Sequence, residues 1–231
     1  MTELPRLILA RAHIQQGLTP KDLARRCSTG ALVRIRHGVY VEGAAWHALK
    51  PWEKYRLRVN AAAETCGSPM VFARHSAASV WGIPTVGRQE MVHALTLQND
   101  GGRSRAGVRR HYADPAGLTA VRRDGLLVTG RMRTVLDLAA FTTFAEAIVP
   151  LDHVLRPDTV KGLPALSKET LLAGIEGNYT SAAARRIAVA VYFATGRAVV
   201  RWVWSDLMMP GRLERKLAAA GVPRRRARSG H

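Results

Sequence analysis

Only two cysteines, Cys27 and Cys66, occur in 231 residues. Two residues cannot build a disulfide scaffold and neither sits at metal-site spacing, so a pair of buried thiols in a reducing compartment is expected. Long apolar runs are also missing. A stretch such as Ile187–Ala194 falls far short of the ~20 residues that span a bilayer, and no basic-then-apolar signal segment opens the chain. A cytoplasmic protein without a membrane anchor is expected. Acidic residues are scarce too, 17 Asp plus Glu against 35 Lys plus Arg.

Motifs for catalysis are equally thin. Histidines 13, 37, 47, 75, 93, 111, 153 and 231 are scattered, with no His-x-x-x-His pair and no Cys, Asp or Glu at ligand spacing. Gly101-Gly102 is followed by Arg103-Ser104 without the strand and helix that a phosphate-binding loop requires. His75-Ser76 lacks the flanking glycines of a hydrolase nucleophile elbow, because Arg74 and Ala78 stand in those places. Ser76 is expected to cap or hydrogen-bond locally at a packed helix start. Asp137 and Asp152 fall on predicted helices, where a surface or capping role is expected. A degenerate nuclease would need clustered carboxylates and a lysine near a metal. Asp137, Glu146, Asp152, Lys161 and Lys168 include no Asp/Glu-x-Lys triplet on a predicted strand. No catalytic residue, metal or cofactor is assigned, and the chain reads as a non-enzyme.

What is present is positive charge, a formal +18 carried mostly by arginine. Such a balance favours a polyanionic partner. The basic surplus is five in residues 1–50 and five in 51–130, almost nothing in 131–210, and six in the last 21 residues. The first half and the tail are therefore the basic parts.

The N-terminal pattern gives that charge a setting. Leu7, Ile8, Ala12 and Ile14 suit a helix opened by Pro5 and stopped at Gly17. Thr19-Pro20-Lys21-Asp22 predicts a second helix, with Thr19 as cap, Pro20 in the first position and Asp22 completing a capping box. The stop falls near Cys27–Gly30, with Leu23 and Ala24 on the buried side. Leu32 to Val41, β-branched around Gly38, predicts two short strands and a turn. Two short helices followed by a basic hairpin describe a winged helix-turn-helix over residues 1–45. In that layout the second helix enters the major groove and the wing runs along the backbone. The candidate double-stranded-DNA-binding residues are Thr19, Lys21, Arg25 and Arg26 on the helix, with Arg34, Arg36 and His37 on the wing.

Residues 46–180 read as a mixed α/β unit, making the whole chain α+β. Helices are predicted over Pro51–Gly67, Phe72–Gly82, Thr134–Phe144, Pro150–Leu155 and Ser167–Ile175. Met91–Leu97 reads as a strand, Gly107–Tyr112 as its hairpin partner across the polar loop Asn99–Arg105, and Leu126–Val128 as a third strand. Residues 181–231 read as a helix, Ala183–Ala194, then a basic tail. From about Thr195 onward the juxtaposed Trp202, Trp204, Met208 and Met209, followed by an arginine-rich end, suggest a frameshifted segment. The alternative is a short helix, Gly211–Ala220, ending in a disordered basic arm.

The order of several blocks resembles a known family. They are Leu32-Val33-Arg34-Ile35-Arg36-His37-Gly38-Val39-Tyr40, His75-Ser76-Ala77-Ala78-Ser79-Val80-Trp81-Gly82-Ile83-Pro84, Asp124-Gly125-Leu126-Leu127-Val128-Thr129, Arg133-Thr134-Val135-Leu136-Asp137-Leu138-Ala139 and Leu151-Asp152-His153-Val154-Leu155-Arg156. Together they are similar to the AbiEi-type antitoxins of bacterial type IV toxin–antitoxin systems, in the actinobacterial branch of transcriptional regulators. The resemblance covers roughly residues 5–175, without the nuclease-like domain into which many proteins of this layout continue. It leaves little room before residue 19 for a full trihelical core. The resemblance implies an N-terminal winged domain that binds its own promoter. It also implies a second domain that counters a nucleotidyltransferase-like toxin. A protein-interaction antitoxin without specific DNA binding is the alternative, distinguished by a stable complex with a neighbouring gene's product and no retardation of DNA.

Overall fold

The computed structural model describes residues 4–15, 17, 19–66, 69–87, 89–96, 106–113, 119–194, 211, 212 and 215. Among these, helices and strands are mixed and the strands form two sheets, in keeping with an α+β chain. The loop Asn99–Arg105 and, apart from Gly211, Arg212 and Arg215, the tail expected to be frameshifted or disordered lie outside the described residues.

The N-terminal segment opens with a two-residue strand, β1 (Ile8–Leu9), and only then a short helix, α1 (Ala10–Gln15). A single helix from Pro5 to Gly17 is therefore not formed. Ile8 and Leu9 pair with Tyr40 and Val39, and these sheet contacts take the backbone that a longer helix would have used. Helix α2 (Pro20–Ser28) carries the expected cap, but of the two residues expected on its buried side only Leu23 is buried and Ala24 is exposed. Thr19 is extended, its Oγ1 accepts the Asp22 N–H at 3.3 Å, and the Thr19 N–H donates to Asp22 Oδ2 at 3.0 Å. Strands β2 (Leu32–Arg36) and β3 (Val39–Glu42) form an antiparallel hairpin whose turn needs Gly38 at φ +73°. The sheet order is β1-β3-β2.

After a short helix α3 (Gly43–Ala48), helix α4 (Pro51–Thr65) joins the two sheets. Pro51 opens it, and Glu53 accepts the Lys50 N–H at 2.8 Å. At 100° per residue, Tyr55, Val59 and Ala62 share one side of the helix while Leu57 and Ala61 lie roughly opposite. All five are buried. The first three belong to the large core, and α4 also packs against β2 of the small sheet. A helix clamped on both sides is the support that the short N-terminal unit lacks within its own sequence.

The second sheet contains β4 (Val71–Phe72), β5 (Val92–Thr96), β6 (Val108–Tyr112), β7 (Ala120–Arg123) and β8 (Leu126–Thr129), in the order β6-β5-β4-β8-β7. Strands β5 and β6 are parallel, in register from Val92 opposite Val108 to Thr96 opposite Tyr112. The expected hairpin is therefore corrected. Two strands close in sequence carry the same alternation whichever way they run, so pattern alone could not set their direction.

Helix α5 (Arg74–Trp81) stops at Gly82, which is left-handed at φ +69°. There Lys161 Nζ donates to the Trp81 carbonyl at 2.7 Å. Helix α6 (Arg131–Phe141) packs against α5, which itself lies on the sheet, and α7 (Phe144–Val154) begins a new capping box at Thr143 and Glu146. Pro150 thus lies inside α7 instead of opening a helix. Helices α8 (Lys168–Ala173) and α9 (Ser181–Phe193) are capped by Ser167 and Thr180 and complete the core with Leu171, Ile187, Ala190 and Val191.

Three local expectations change. Ser76 neither caps nor stays local: fully buried, it bonds Tyr55 of α4 and the His93 amide of β5. Asp137 and Asp152 are buried, not on the surface. Cys27 and Cys66 are free thiols, but half-exposed instead of buried.

Candidate nucleic-acid interface

The helix α2 carries Leu23 inward and presents Lys21, Arg25 and Arg26 to solvent. This follows from its spacing, because Lys21, Arg25 and Ser28 recur at helical intervals away from Leu23. The Thr19 side chain is spent on the cap: its hydroxyl also donates to Asp22 Oδ2 at 2.7 Å. Hydrogen bonds from the Thr19 hydroxyl and amide hold the Asp22 carboxyl below its ordinary pKa, with Arg25 adding to the effect. Arg25 lies 3.5 Å from Asp22, and Arg26 lies 3.4 Å from His13 Nε2 of α1. His13 therefore joins the basic side of the helix pair, a placement that needed the packing of α1 on α2.

The hairpin separates its two arginines. Arg34 pairs with Tyr40 and Arg36 with Val39, so a bulge at Ile35 intervenes. Arg34 is exposed, and His37 is exposed at the turn. Arg36 is half-buried, with Nη1 donating to the Ala106 carbonyl at 2.6 Å. Burial pulls its pKa below the ordinary arginine value. One hairpin arginine thus faces solvent, while the other ties the small sheet to the start of β6.

Sequence inspection overlooked a second basic strip. Lys50 lies over the Trp52 ring at 5.1 Å, while Lys54 and Arg58 lie over Trp46 at 5.5 and 5.8 Å. The 50, 54, 58 spacing marks one helical stripe, and could have been read as such.

Polar groups of the larger unit are mostly engaged in packing. Asp137 accepts from Arg133 Nε at 2.7 Å and from the Tyr179 hydroxyl at 2.8 Å. Among the described residues no group of His, Cys, Asp or Glu could hold a metal ion, and no helix is long and apolar enough to cross a membrane.

No family model matches the chain, and no curated protein matches it. Among solved structures it is similar to the crystal structure of RV2827C protein from Mycobacterium tuberculosis. The TM-score is 0.48 at 19% identity, covering 81% of this chain and 72% of that one.

Proposed function

We propose that this chain is a DNA-binding transcriptional regulator whose residues 1–45 act as a winged helix-turn-helix. The observation that carries the reading is the capped helix α2, with Lys21, Arg25 and Arg26 exposed beside a hairpin that exposes Arg34 and His37. A fixed short helix presenting cations can enter a major groove, and the hairpin can neutralise phosphates beside it. The net charge of +18 supports a polyanionic partner. Within this proposal the chain is the autoregulating antitoxin of a type IV toxin–antitoxin pair, as the AbiEi-type resemblance implies, with a nucleotidyltransferase-like toxin as its partner.

An electrophoretic shift on the gene's own upstream region, with unrelated duplex as competitor, tests the reading. Preference for the upstream region and a steep fall in affinity with salt are expected. Equal affinity for both duplexes would remove specific regulation. Failure to form a complex with the product of any adjacent nucleotidyltransferase-like gene would remove the antitoxin role alone.

A further inference from the structure

Away from the α2 surface, three histidines that are distant in sequence meet at the outer end of the large sheet. His93 Nδ1 and His111 Nε2 are 2.8 Å apart, their rings nearly parallel at 3° with centroids 5.1 Å apart. The His75 ring is 5.5 Å from that of His93. The register explains the convergence. His93 pairs with Arg109 and Leu95 with His111, so His93, Arg109 and His111 project from one face of β5 and β6. The first turn of α5 adds Arg74 and His75.

The charges of this cluster do not balance. Arg109 and Arg133 both act on Arg74 there, and Arg74 and Arg109 act on His93 and His111. Two described carboxylates oppose them, and both have other partners. Asp137 accepts from Arg133 and Tyr179, while Glu146 accepts the Thr143 amide and hydroxyl in the cap of α7. Arg74 donates no hydrogen bond to a described residue; its guanidinium carbon lies 3.5 Å from the centre of the Phe141 ring. Its backbone is at φ +51°, a left-handed conformation that arginine seldom takes. Strain of this kind persists where surroundings enforce it, and it frequently marks a functional position. His75 Nδ1 is buried without a hydrogen-bond partner. The cluster opens to solvent at Arg109, which is exposed.

A cation does not suit such a place, because Arg74 and Arg109 already repel positive charge. A compact anion with several acceptor oxygens does. It would take the free donors of Arg74, pair with Arg109 and accept from the imidazoles. We propose that Arg74, His75, His93, Arg109 and His111 form a binding site for the phosphate of a small phosphorylated ligand. This site is separate from the DNA-binding surface on α2 and does not depend on that reading. Burial, and then the neighbouring cations, lower His93 to about 3 and His111 to about 4, so both imidazoles are neutral at neutral pH. One neutral ring spends its N–H on the other at 2.8 Å, so a bound phosphate would accept one N–H from the pair, or two once its charge protonates a ring.

The test is titration of the full chain with inorganic phosphate and, separately, adenosine 5′-monophosphate, following imidazole nitrogen resonances by NMR. Saturable shifts of His93 and His111 are expected with at least one probe. Tighter binding of the nucleotide would identify a phosphomonoester as the ligand, and equal binding would identify free phosphate. Arg109→Gln, at an exposed edge-strand position, should weaken binding roughly tenfold, the scale of one charge-assisted hydrogen bond. Arg74→Gly removes the second guanidinium and relaxes the positive φ; it should give a similar loss with an unchanged fold. Arg110→Gln, on the opposite face of β6, should bind like the parent. Absence of shifts with both probes at about 10 mM, where a 1 mM site would be mostly filled, would overturn the proposal. So would equal losses in Arg109→Gln and Arg110→Gln, which would mean diffuse attraction. Weakened duplex binding in Arg109→Gln without binding of either probe would likewise overturn it in favour of a DNA-backbone contact.

Discussion

The hydroxyl of Tyr55 stands 2.9 Å from Ser76 Oγ inside the core. Because Tyr55 donates to the Met91 carbonyl at 3.0 Å, Ser76 is the donor to Tyr55, and Ser76 in turn accepts the His93 N–H at 2.8 Å. The relay runs from the β5 amide through α5 and α4 to the carbonyl just before β5. It locks three elements of the large unit with polar groups that burial makes expensive to leave unpaired.

Ser76→Ala should therefore destabilise the chain by about 1–3 kcal/mol, since the His93 N–H loses its acceptor and Tyr55 loses a donor. Tyr55→Phe leaves the Ser76–His93 bond intact and should cost less. Urea unfolding of both variants measures the difference. Equal effects would mean that the Met91 carbonyl, and not the His93 amide, is the critical group.

The same tyrosine sets an alkaline limit. Burial pushes Tyr55 up to about 12 from an ordinary value of 10, with Ser76 opposing the shift. The folded state then holds a proton that the unfolded state releases above pH 10. This contribution to stability is complete below pH 10 and is lost as pH rises towards 12. In Tyr55→Phe the loss between those pH values should be smaller, by denaturant midpoints at pH 9, 10 and 11.

Acid acts through the histidine cluster with the opposite sign. Burial first, and neighbouring cations second, bring His93 to about 3 and His111 to about 4; for His75, likewise at about 4, Glu146 opposes the burial. Their folded values lie below the ordinary 6.5, so the unfolded chain binds more protons between pH 6.5 and 4. The stability they confer is complete above 6.5 and is lost as pH falls through that window. His93→Gln should flatten the slope of unfolding free energy against pH there. An unchanged slope would show that carboxylates elsewhere control acid unfolding.

How much of this was legible in the sequence depended on the range of the interactions. The cap of α2 and the turn at Gly38 follow from neighbours within four residues, and Thr19-Pro20-Lys21-Asp22 spells the first outright. Strand β1 is two residues long and held by Tyr40 and Val39, so its apolar pattern merges with that of α1. The parallel direction of β5 and β6 leaves no trace in alternation. For the histidines, positions 75, 93 and 111 bear no motif spacing. Only the sheet register and the entry of α5 bring them together. The basic helix was visible because charge on a local amphipathic pattern is a local property; the Arg74 cluster was hidden because it is a tertiary one.

The cap of α2 can be tested alone. Thr19→Ala removes the acceptor for the Asp22 N–H and should cost about 1 kcal/mol, the usual value of an N-cap. Thr19→Ser should restore it. If the side chain only caps, loss of DNA affinity in Thr19→Ala should recover fully in Thr19→Ser. Lost affinity in both variants would mean that the threonine methyl touches DNA.

The two arginines of the β2 strand should behave differently from one another. An exposed Arg34 that neutralises one phosphate contributes about one unit to the log–log salt slope of DNA binding. Arg34→Ala should make that slope shallower by about one, and weaken target and unrelated duplexes alike. Arg36 spends its Nη1 on the Ala106 carbonyl and is turned to the other side of the β2 bulge. Arg36→Ala should leave the salt slope close to the parent value and lower the thermal midpoint, because the tie from the small sheet to the start of β6 is lost. Arg36→Lys keeps the charge but not the planar guanidinium, so it should resemble Arg36→Ala in stability if the tie is what matters. Filter binding at several salt concentrations, beside melting curves of the same four proteins, separates the roles. A salt slope reduced equally by Arg34→Ala and Arg36→Ala would place both side chains on phosphates and make the Ala106 contact incidental.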